Sequence, residues 1–303
     1  MGSIVSVVVE DGQAGDRLCV LIREVAAWPV VGPASLHVRE AVRLLRRRPW
    51  NAAFAAPLDD RLVFVLGSPR SGTTFLAEAI GSLPGFVDLG ELLPLKASVP
   101  ELARRDPAEA AARVRRTLWL TRRLGGLGGV RGVEQTPECV FLGSALPLAF
   151  PHASILHLVR DGRDVVCSLL ERGWLSRGRS GRDEAGNVVG AAARFWVEAG
   201  REQEFETASD ARRAAWAWRR YVERARALGD RVHELRYERV CGEPERAAAE
   251  LAALLHAPER ELRRALTPAH TASVGRFRQE LTPAQLADVE AEAGGLLSTL
   301  GYE

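Results

Sequence analysis

An α/β architecture, a central parallel sheet flanked by helices, follows from three features of this chain. Short apolar runs at residues 61–66, 154–159 and 231–237 alternate with longer stretches of helical character, the pattern of parallel strands joined by helical crossovers. The segment Leu62-Val-Phe-Val-Leu-Gly-Ser-Pro-Arg-Ser-Gly-Thr-Thr-Phe-Leu76 passes from a buried strand through a loop of small and donor residues into a helix. A length of 303 residues, 47% hydrophobic and 26% charged, suits one large globular domain with insertions.

The elements follow in order. Residues 1–60 read as an accessory segment packing on the core, and within it Val38, Val42 and Leu45 give residues 37–48 one apolar face between arginines, an amphipathic helix. The first core strand is 61–66, with its helix at 73–83. Residues 86–89 form a short strand ending in Gly90-Glu91, and a basic helical stretch covers 101–123 before the flexible Gly125-Gly-Leu-Gly-Gly129. A strand end at 132–135 leads into a helix at 137–150. The strand at 154–159 is followed by a helix at 164–172. Residues 174–189 are rich in glycine and charge, the composition of a mobile lid. Helices at 191–205 and 209–228 carry Trp196, Trp216 and Trp218, and the region 174–230 is where an acceptor pocket would be built. A strand at 231–237 and helices at 244–256 and 283–300 complete the chain. No internal repeat interrupts this order.

Composition excludes several classes. The 41 basic and 39 acidic residues leave a net charge of +2, so no global field steers the chain to nucleic acid and any anion site must be local. Lys96 is the only lysine. Cys19, Cys139, Cys167 and Cys241 form no C-x-x-C pair, and read as reduced thiols of a cytoplasmic enzyme rather than a zinc site. No apolar run is long enough for a membrane span, no signal segment opens the chain, and the Met-Gly start matches a myristoylation site only formally.

The loop after residue 66 gathers backbone N–H groups and a helix N-terminus on one concave surface, which suits phosphate. Gly67 and Gly72 have the spacing of a Walker A loop, with Thr74 where a magnesium-binding hydroxyl would stand. Thr73 occupies the lysine position, and the cation has moved into the loop as Arg70. A nucleoside triphosphatase needs that lysine on its β- and γ-phosphates. The loop is therefore P-loop-like, made for a phosphate but not for a triphosphate with magnesium.

Ser68-Pro-Arg-Ser-Gly-Thr-Thr74 resembles the 5′-phosphosulfate loop of sulfotransferases that use 3′-phosphoadenosine 5′-phosphosulfate (PAPS). Ile155-Leu-His-Leu-Val-Arg-Asp-Gly-Arg-Asp-Val-Val-Cys-Ser168 is similar to the family's 3′-phosphate motif. The two lie in the family's order, each at a strand-to-helix junction, and the resemblance covers residues 61–303. It implies a P-loop-like fold, PAPS as sulfonate donor, and no metal. It implies that Arg70 with Ser71, Gly72, Thr73 and Thr74 binds the 5′-phosphate end, and that Arg160 and Ser168 bind the 3′-phosphate. Arg163 and Asp164 read instead as a turn and helix-start pair. Tyr237, in Leu235-Arg-Tyr-Glu238, resembles the family's element near the adenine, or is a tyrosine half-buried under the next helix. Ser273, Gly275 and Arg276, in Ser273-Val-Gly-Arg-Phe-Arg278, resemble the late loop that closes over the nucleotide, and the ending Leu300-Gly-Tyr302 is similar too. Arg278 equally fits a solvated helix start.

An acceptor hydroxyl needs a base near Arg70. Glu91, twenty-one residues after Arg70, matches the glutamate base of the family's tyrosylprotein branch; the alternative is an exposed glutamate favoured by a helix dipole. Glu134, in Val133-Glu-Gln-Thr-Pro137, is the second candidate. Gln135 departs from the lysine the family often has there, removing a cation and leaving more to Arg70. His270 and His157 are weaker bases, His157 reading as core. Trp174, Trp196, Trp216 and Trp218 line either an acceptor pocket or the core. The acceptor expected is a small metabolite or glycoconjugate. The rivals are a P-loop nucleotide kinase or NTPase, and a non-catalytic nucleotide-binding module indifferent to Glu91.

Overall fold

A computed structural model describes residues 34–177, 181–182, 188–189, 194–269 and 271–302. Residues 1–33 with Cys19, much of the expected lid, and His270 lie outside the described residues. In chain order the elements are α1 (Ala34–Arg47), β1 (Val63–Leu66), α2 (Thr73–Gly81), β2 (Phe86–Gly90), α3 (Leu93–Leu102), α4 (Pro107–Leu124), β3 (Arg131–Glu134), α5 (Ala145–Ala149), β4 (Ser154–Val159) and α6 (Gly162–Arg172). Then follow β5 (Gly181–Arg182), β6 (Val188–Val189), α7 (Glu202–Thr207), α8 (Asp210–Arg226), β7 (His233–Arg236), α9 (Tyr237–Gly242), α10 (Pro244–Leu255), α11 (Glu259–Leu266), α12 (Phe277–Glu280) and α13 (Pro283–Thr299). Three-residues-per-turn segments occupy Pro137–Leu142, Gly229–Arg231 and Thr271–Ser273.

Five strands form one parallel sheet in the order β2-β3-β1-β4-β7, as the alternating pattern predicts, while β5 and β6 pair as a separate antiparallel ribbon. All four residues of β1 are buried because Phe64 and Leu66 enter one apolar layer and Val63 and Val65 the other. In β4, Ile155 and Val159 face the first layer and Leu156 and Leu158 the second. A strand apolar on both faces requires helices on both sides. His157 is buried in β4 with its Nδ1 3.2 Å from Glu234, a core position as its place in mid-strand predicts.

The chain leaves β1 toward β3 and β2 on one side and toward β4 and β7 on the other. The carboxyl ends of β1 and β4 are thus the switch point where an open α/β sheet leaves a crevice. Register pairs Leu66 with His157, so Gly67 leaves the sheet against Leu158, whose carbonyl oxygen would lie 2.7 Å from an added Cβ.

Several boundaries differ from the sequence expectations for local reasons. The basic stretch 101–123 is two helices, because Asp106 caps a new one at Pro107 by accepting the N–H groups of Ala108 (2.9 Å) and Glu109 (3.2 Å). The helix expected over 137–150 breaks at Gly143, whose φ of +54° ends the first segment. In place of a helix over 191–205, the described residues show only α7, beginning at Glu202. Tyr237 opens α9 instead of ending a strand. The sequence reading has no counterpart of α11, of which only Leu262 and Leu266 are buried.

α1 lies against α4, where Ala41 packs with Leu120 and Leu124. Arg47 meets Asp88 at 2.9 Å and Arg43 donates to the carbonyl of Leu89, tying this helix to the end of β2. Among the described residues, no helix is long and apolar enough to cross a membrane.

Trp218 of α8 fixes the end of β4 from below. Its indole N–H donates to the Arg160 carbonyl at 3.0 Å, and its ring lies so close to Gly162 that an added Cβ would approach it to 2.7 Å. Gly162→Ala is expected to cost about 1–3 kcal/mol, seen as a lower urea midpoint. Gly242→Ala, with nothing within 4 Å of its new methyl, is the control, expected to stay within about 0.5 kcal/mol.

Candidate active site

The loop between β1 and α2 turns on two left-handed residues. Arg70 has φ +72° and Gly72 φ +91°, and the Ser71 N–H donates to Ser68 O at 3.1 Å. A bulky residue at positive φ is strained by about 1 kcal/mol or more and persists where its surroundings fix it. Gly72 cannot be replaced without collision, since a Cβ would lie 2.5 Å from the Tyr237 ring. Arg70 Nε donates to Ser168 Oγ at 2.9 Å, and the guanidinium lies 5.7 Å from the centre of the Trp174 ring. Burial lowers the Arg70 pKa, with repulsion from Arg172 and Arg160 adding to the fall and Glu171 opposing it. An anion beside Arg70 would offset this cost.

Arg160 follows β4 and is 5% exposed. Its Nη1 donates to Arg70 O at 3.1 Å and its Nη2 to Ser273 O, while its carbon centre lies 4.8 Å over the Tyr237 ring. Ser168, expected as the partner of Arg160, is instead bonded to Arg70, so Ser168 and Arg160 both reach the same loop through Arg70. Tyr237 and Ser273 share a hydrogen bond of 3.0 Å between hydroxyls. Asp164, buried on α6, accepts the Gly275 N–H at 2.7 Å and the Phe277 N–H at 3.0 Å. These bonds hold the late loop against the strand end. Arg276 is there too, but engaged by Glu280 at 2.8 Å and by Glu171. Two buried polar atoms of the region, Ser71 Oγ and Arg160 Nε, have no partner, which marks a place for a ligand's acceptors.

Asp161 stands where a kinase would hold magnesium, but it caps α6 through the Arg163 N–H at 2.9 Å and accepts the Arg163 guanidinium at 2.8 Å. The turn-and-helix-start role belongs to Asp161 with Arg163, whereas Asp164 ties the late loop. Among the described residues, no group of three His, Cys, Asp or Glu side chains is placed to hold a metal ion.

Carboxylates gather at the end of β2. A bulge between Asp88 and Gly90 swings the chain out, and Glu91 follows two strand spacings from β1, about 10 Å across the sheet. Glu91 Oε2 meets Lys96 Nζ at 2.5 Å, and this lysine is 5% exposed on the first turns of α3. Sequence reasoning missed Lys96; the signal was its being the one lysine in a chain that otherwise uses arginine. Glu134 is fully buried, with its carboxylate accepting the Thr136 N–H at 3.0 Å and the Thr136 hydroxyl. Gln135 is also buried, and its Oε1 has no partner. Among the tryptophans, Trp196, Trp216 and Trp218 are core, whereas Trp174 is half-buried beside Arg70.

The model of the family described as "Sulfotransferase family" matches residues 109–261, a span that contains β4, Arg160, Ser168 and Tyr237. Among solved structures, the chain is similar to the sulfotransferase domain from the curacin biosynthetic pathway, with a TM-score of 0.53 and 17% identity over 82% of this chain and 98% of that one. It is similar also to the sulfotransferase domain of the Synechococcus PCC 7002 olefin synthase, with a TM-score of 0.52 and 16% identity over 84% of this chain and 99% of that one. At these identities the likeness is one of fold. Compared by sequence with curated proteins, the chain finds no match.

Burial raises the Glu134 carboxyl to about 7, with hydrogen bonds from Thr136 and Leu92 opposing the rise and the charge of Glu91 adding to it. An unfolded glutamate titrates near 4.5, so between that pH and about 7 the folded chain binds more protons than the unfolded one. Stability therefore falls as pH rises through this window and levels off above it, by about 3 kcal/mol in all. Glu134→Gln keeps an acceptor for Thr136 and removes the titration. Its melting temperature is expected to stay flatter than wild type between about pH 5 and 8, and to be the higher of the two at the alkaline end.

Proposed function

The chain belongs to the sulfotransferase family, and we propose that it moves a sulfonate from PAPS to an acceptor hydroxyl, of a small metabolite or a glycoconjugate, in the cytosol. The observation that carries this reading is the 2.9 Å bond from Arg70 to Ser168, which joins two motifs 98 residues apart at one crevice. The unpartnered Ser71 Oγ and Arg160 Nε beside it fit a ligand with phosphate at both ends.

In this reading Arg70, with the N–H groups of residues 71–74, faces the 5′-phosphosulfate. Arg160, Ser168, Ser273 and Gly275 hold the 3′-phosphate, and Arg276 joins them on giving up Glu171 and Glu280. Tyr237 lies along the adenine. The donor supplies a sulfonate whose bond to the phosphate oxygen breaks as the acceptor oxygen bonds to sulfur. Arg70 and the loop amides neutralise the charge that grows on the departing phosphate, a stabilisation that works best in a site closed to water. Glu91 takes the acceptor's proton as the new bond forms. Lys96 holds the Glu91 carboxylate in place and supplies a cation at the acceptor end, where Gln135 brings none. Glu134, closed off and hydrogen-bonded, supports this corner of the site rather than meeting the acceptor.

Titration calorimetry with 3′-phosphoadenosine 5′-phosphate tests the donor site. Wild type is expected to prefer it over ADP and over ATP with magnesium, and Arg160→Ala to weaken it by about thirtyfold, the loss of about 2 kcal/mol of charge-assisted bonding. Preference for ATP with magnesium would replace this reading with the kinase. Glu91→Gln is expected to bind the same nucleotide as wild type does while turnover drops by about 100-fold or more. Unchanged turnover in that variant would remove Glu91 from the mechanism, and Glu134→Gln would then be assayed for the role. Lys96→Met is expected to lower turnover and shift its pH profile, and Lys96→Arg to restore both.

A further inference from the structure

A cavity of about 340 Å³ opens between the far end of α3, the Pro137–Leu142 turn and α8. None of its lining residues belongs to the loop after β1, to the Arg160 strand end or to the late loop. Glu91 stands before the first turn of α3, whereas Pro100, Ala103 and Arg104 line the cavity from the last, about 15 Å along the axis. The cavity is a separate place from the nucleotide crevice.

Its floor is aromatic and fixed. Phe141 stacks edge-on against Phe195 with centroids 5.3 Å apart and against Tyr221 at 4.9 Å. Trp196 meets Phe205 edge-on at 5.4 Å and Tyr221 at 6.1 Å. Phe141 and Phe195 are only half-buried, so part of each ring remains to be covered.

Its rim is cationic. Arg220 and Arg224 project from α8 four residues apart, a spacing at which like charges repel, and Arg104 faces them from the turn after α3. Neighbouring arginines are matched with carboxylates. Arg105 and Arg113 share Glu101 and Glu109, and Arg219 takes Glu198 at 2.8 Å, Glu223 at 3.0 Å and Glu292 at 2.8 Å. Among the described residues Arg104 and Arg224 form no ion pair, and Arg220 reaches Glu198 and Glu223 only at 3.5 Å. Arg220 is anchored by its Nε bond to Trp196 O at 3.0 Å. Burial lowers its pKa, Glu198 opposes the fall, and Arg224 adds to it. The one acid of the lining, Glu198, also accepts the Trp216 indole at 2.6 Å.

We infer that this cavity binds a small organic anion with an apolar, ring-sized body, its acidic group set among Arg104, Arg220 and Arg224 and its body on Phe141, Phe195 and Trp196. The volume is that of a small-molecule pocket, too small for a folded partner. An anion there would pair the two free guanidinium groups and cover the open ring faces in one step. The inference is independent of the donor and of the base assigned above.

Calorimetry on the full chain, with naphthalene-2-carboxylate as probe and neutral naphthalene-2-carboxamide beside it, tests this. The carboxylate is expected to bind, and the amide about tenfold more weakly or less. The Arg104→Ala/Arg224→Ala variant changes two exposed side chains, so circular dichroism should match wild type while carboxylate binding weakens by about tenfold. Saturating 3′-phosphoadenosine 5′-phosphate should leave the probe's affinity unchanged. Absent binding, equal affinity for carboxylate and amide, indifference to the double variant, or displacement by the nucleotide would each overturn the assignment.

Discussion

Three chain segments meet on the guanidinium of Arg160. One nitrogen holds the carbonyl of Arg70 in the first loop, another holds the carbonyl of Ser273 in the late loop, and the plane of the group covers Tyr237 at the start of α9. Burying a charge is costly unless its donors are matched, and here backbone carbonyls match them in place of a carboxylate, with Asp164 at 4.0 Å as the nearest acid. A cation so held remains net positive and keeps one nitrogen unpartnered. The same contact therefore shapes the crevice and leaves it attractive to an anion. Trp218 and Gly162 brace the strand end beneath it, and Asp164 pins the late loop above it.

At the other side of the crevice the charges are reversed. The charge of Glu91 raises the pKa of Glu134, and Lys96 pairs with Glu91 beside it. Two carboxyls in unlike surroundings separate in behaviour: the half-buried Glu91 pairs with a cation, and the buried Glu134 holds a proton near neutrality. The Arg70 cation and the Glu91 carboxylate thus lie at the ends of β1 and β2, with the width of β3 between them.

Arginine, used here almost to the exclusion of lysine, divides into two populations. On α8 and α13 it forms a network in which Arg212 and Arg219 share Glu292, and networks of this kind hold helices together better than isolated surface pairs do. By contrast, among the described residues Arg70 at the crevice and Arg104 and Arg224 at the aromatic cavity form no ion pair, and burial lowers the pKa of Arg70 and of Arg220. Uneven pairing on a nearly neutral chain concentrates positive potential in two places.

The sequence by itself determined the parallel sheet, because strands apolar on both faces alternate with amphipathic helices. It also determined the two strand-end turns of the crevice, because Gly67, Arg70, Gly72 and Arg160 sit at strand ends where backbone donors collect. Local propensity could not supply the break at Asp106, the early start of α9 at Tyr237, or α11, since caps and packing partners decide those boundaries. Only the tertiary structure decided which donors face one another: that Ser168 serves Arg70, that Asp164 ties Gly275, that Arg276 is engaged by Glu171 and Glu280, and that Lys96 reaches Glu91. These pairings depend on strand order and register. A one-dimensional pattern carries the period of each element but not the distance between their ends.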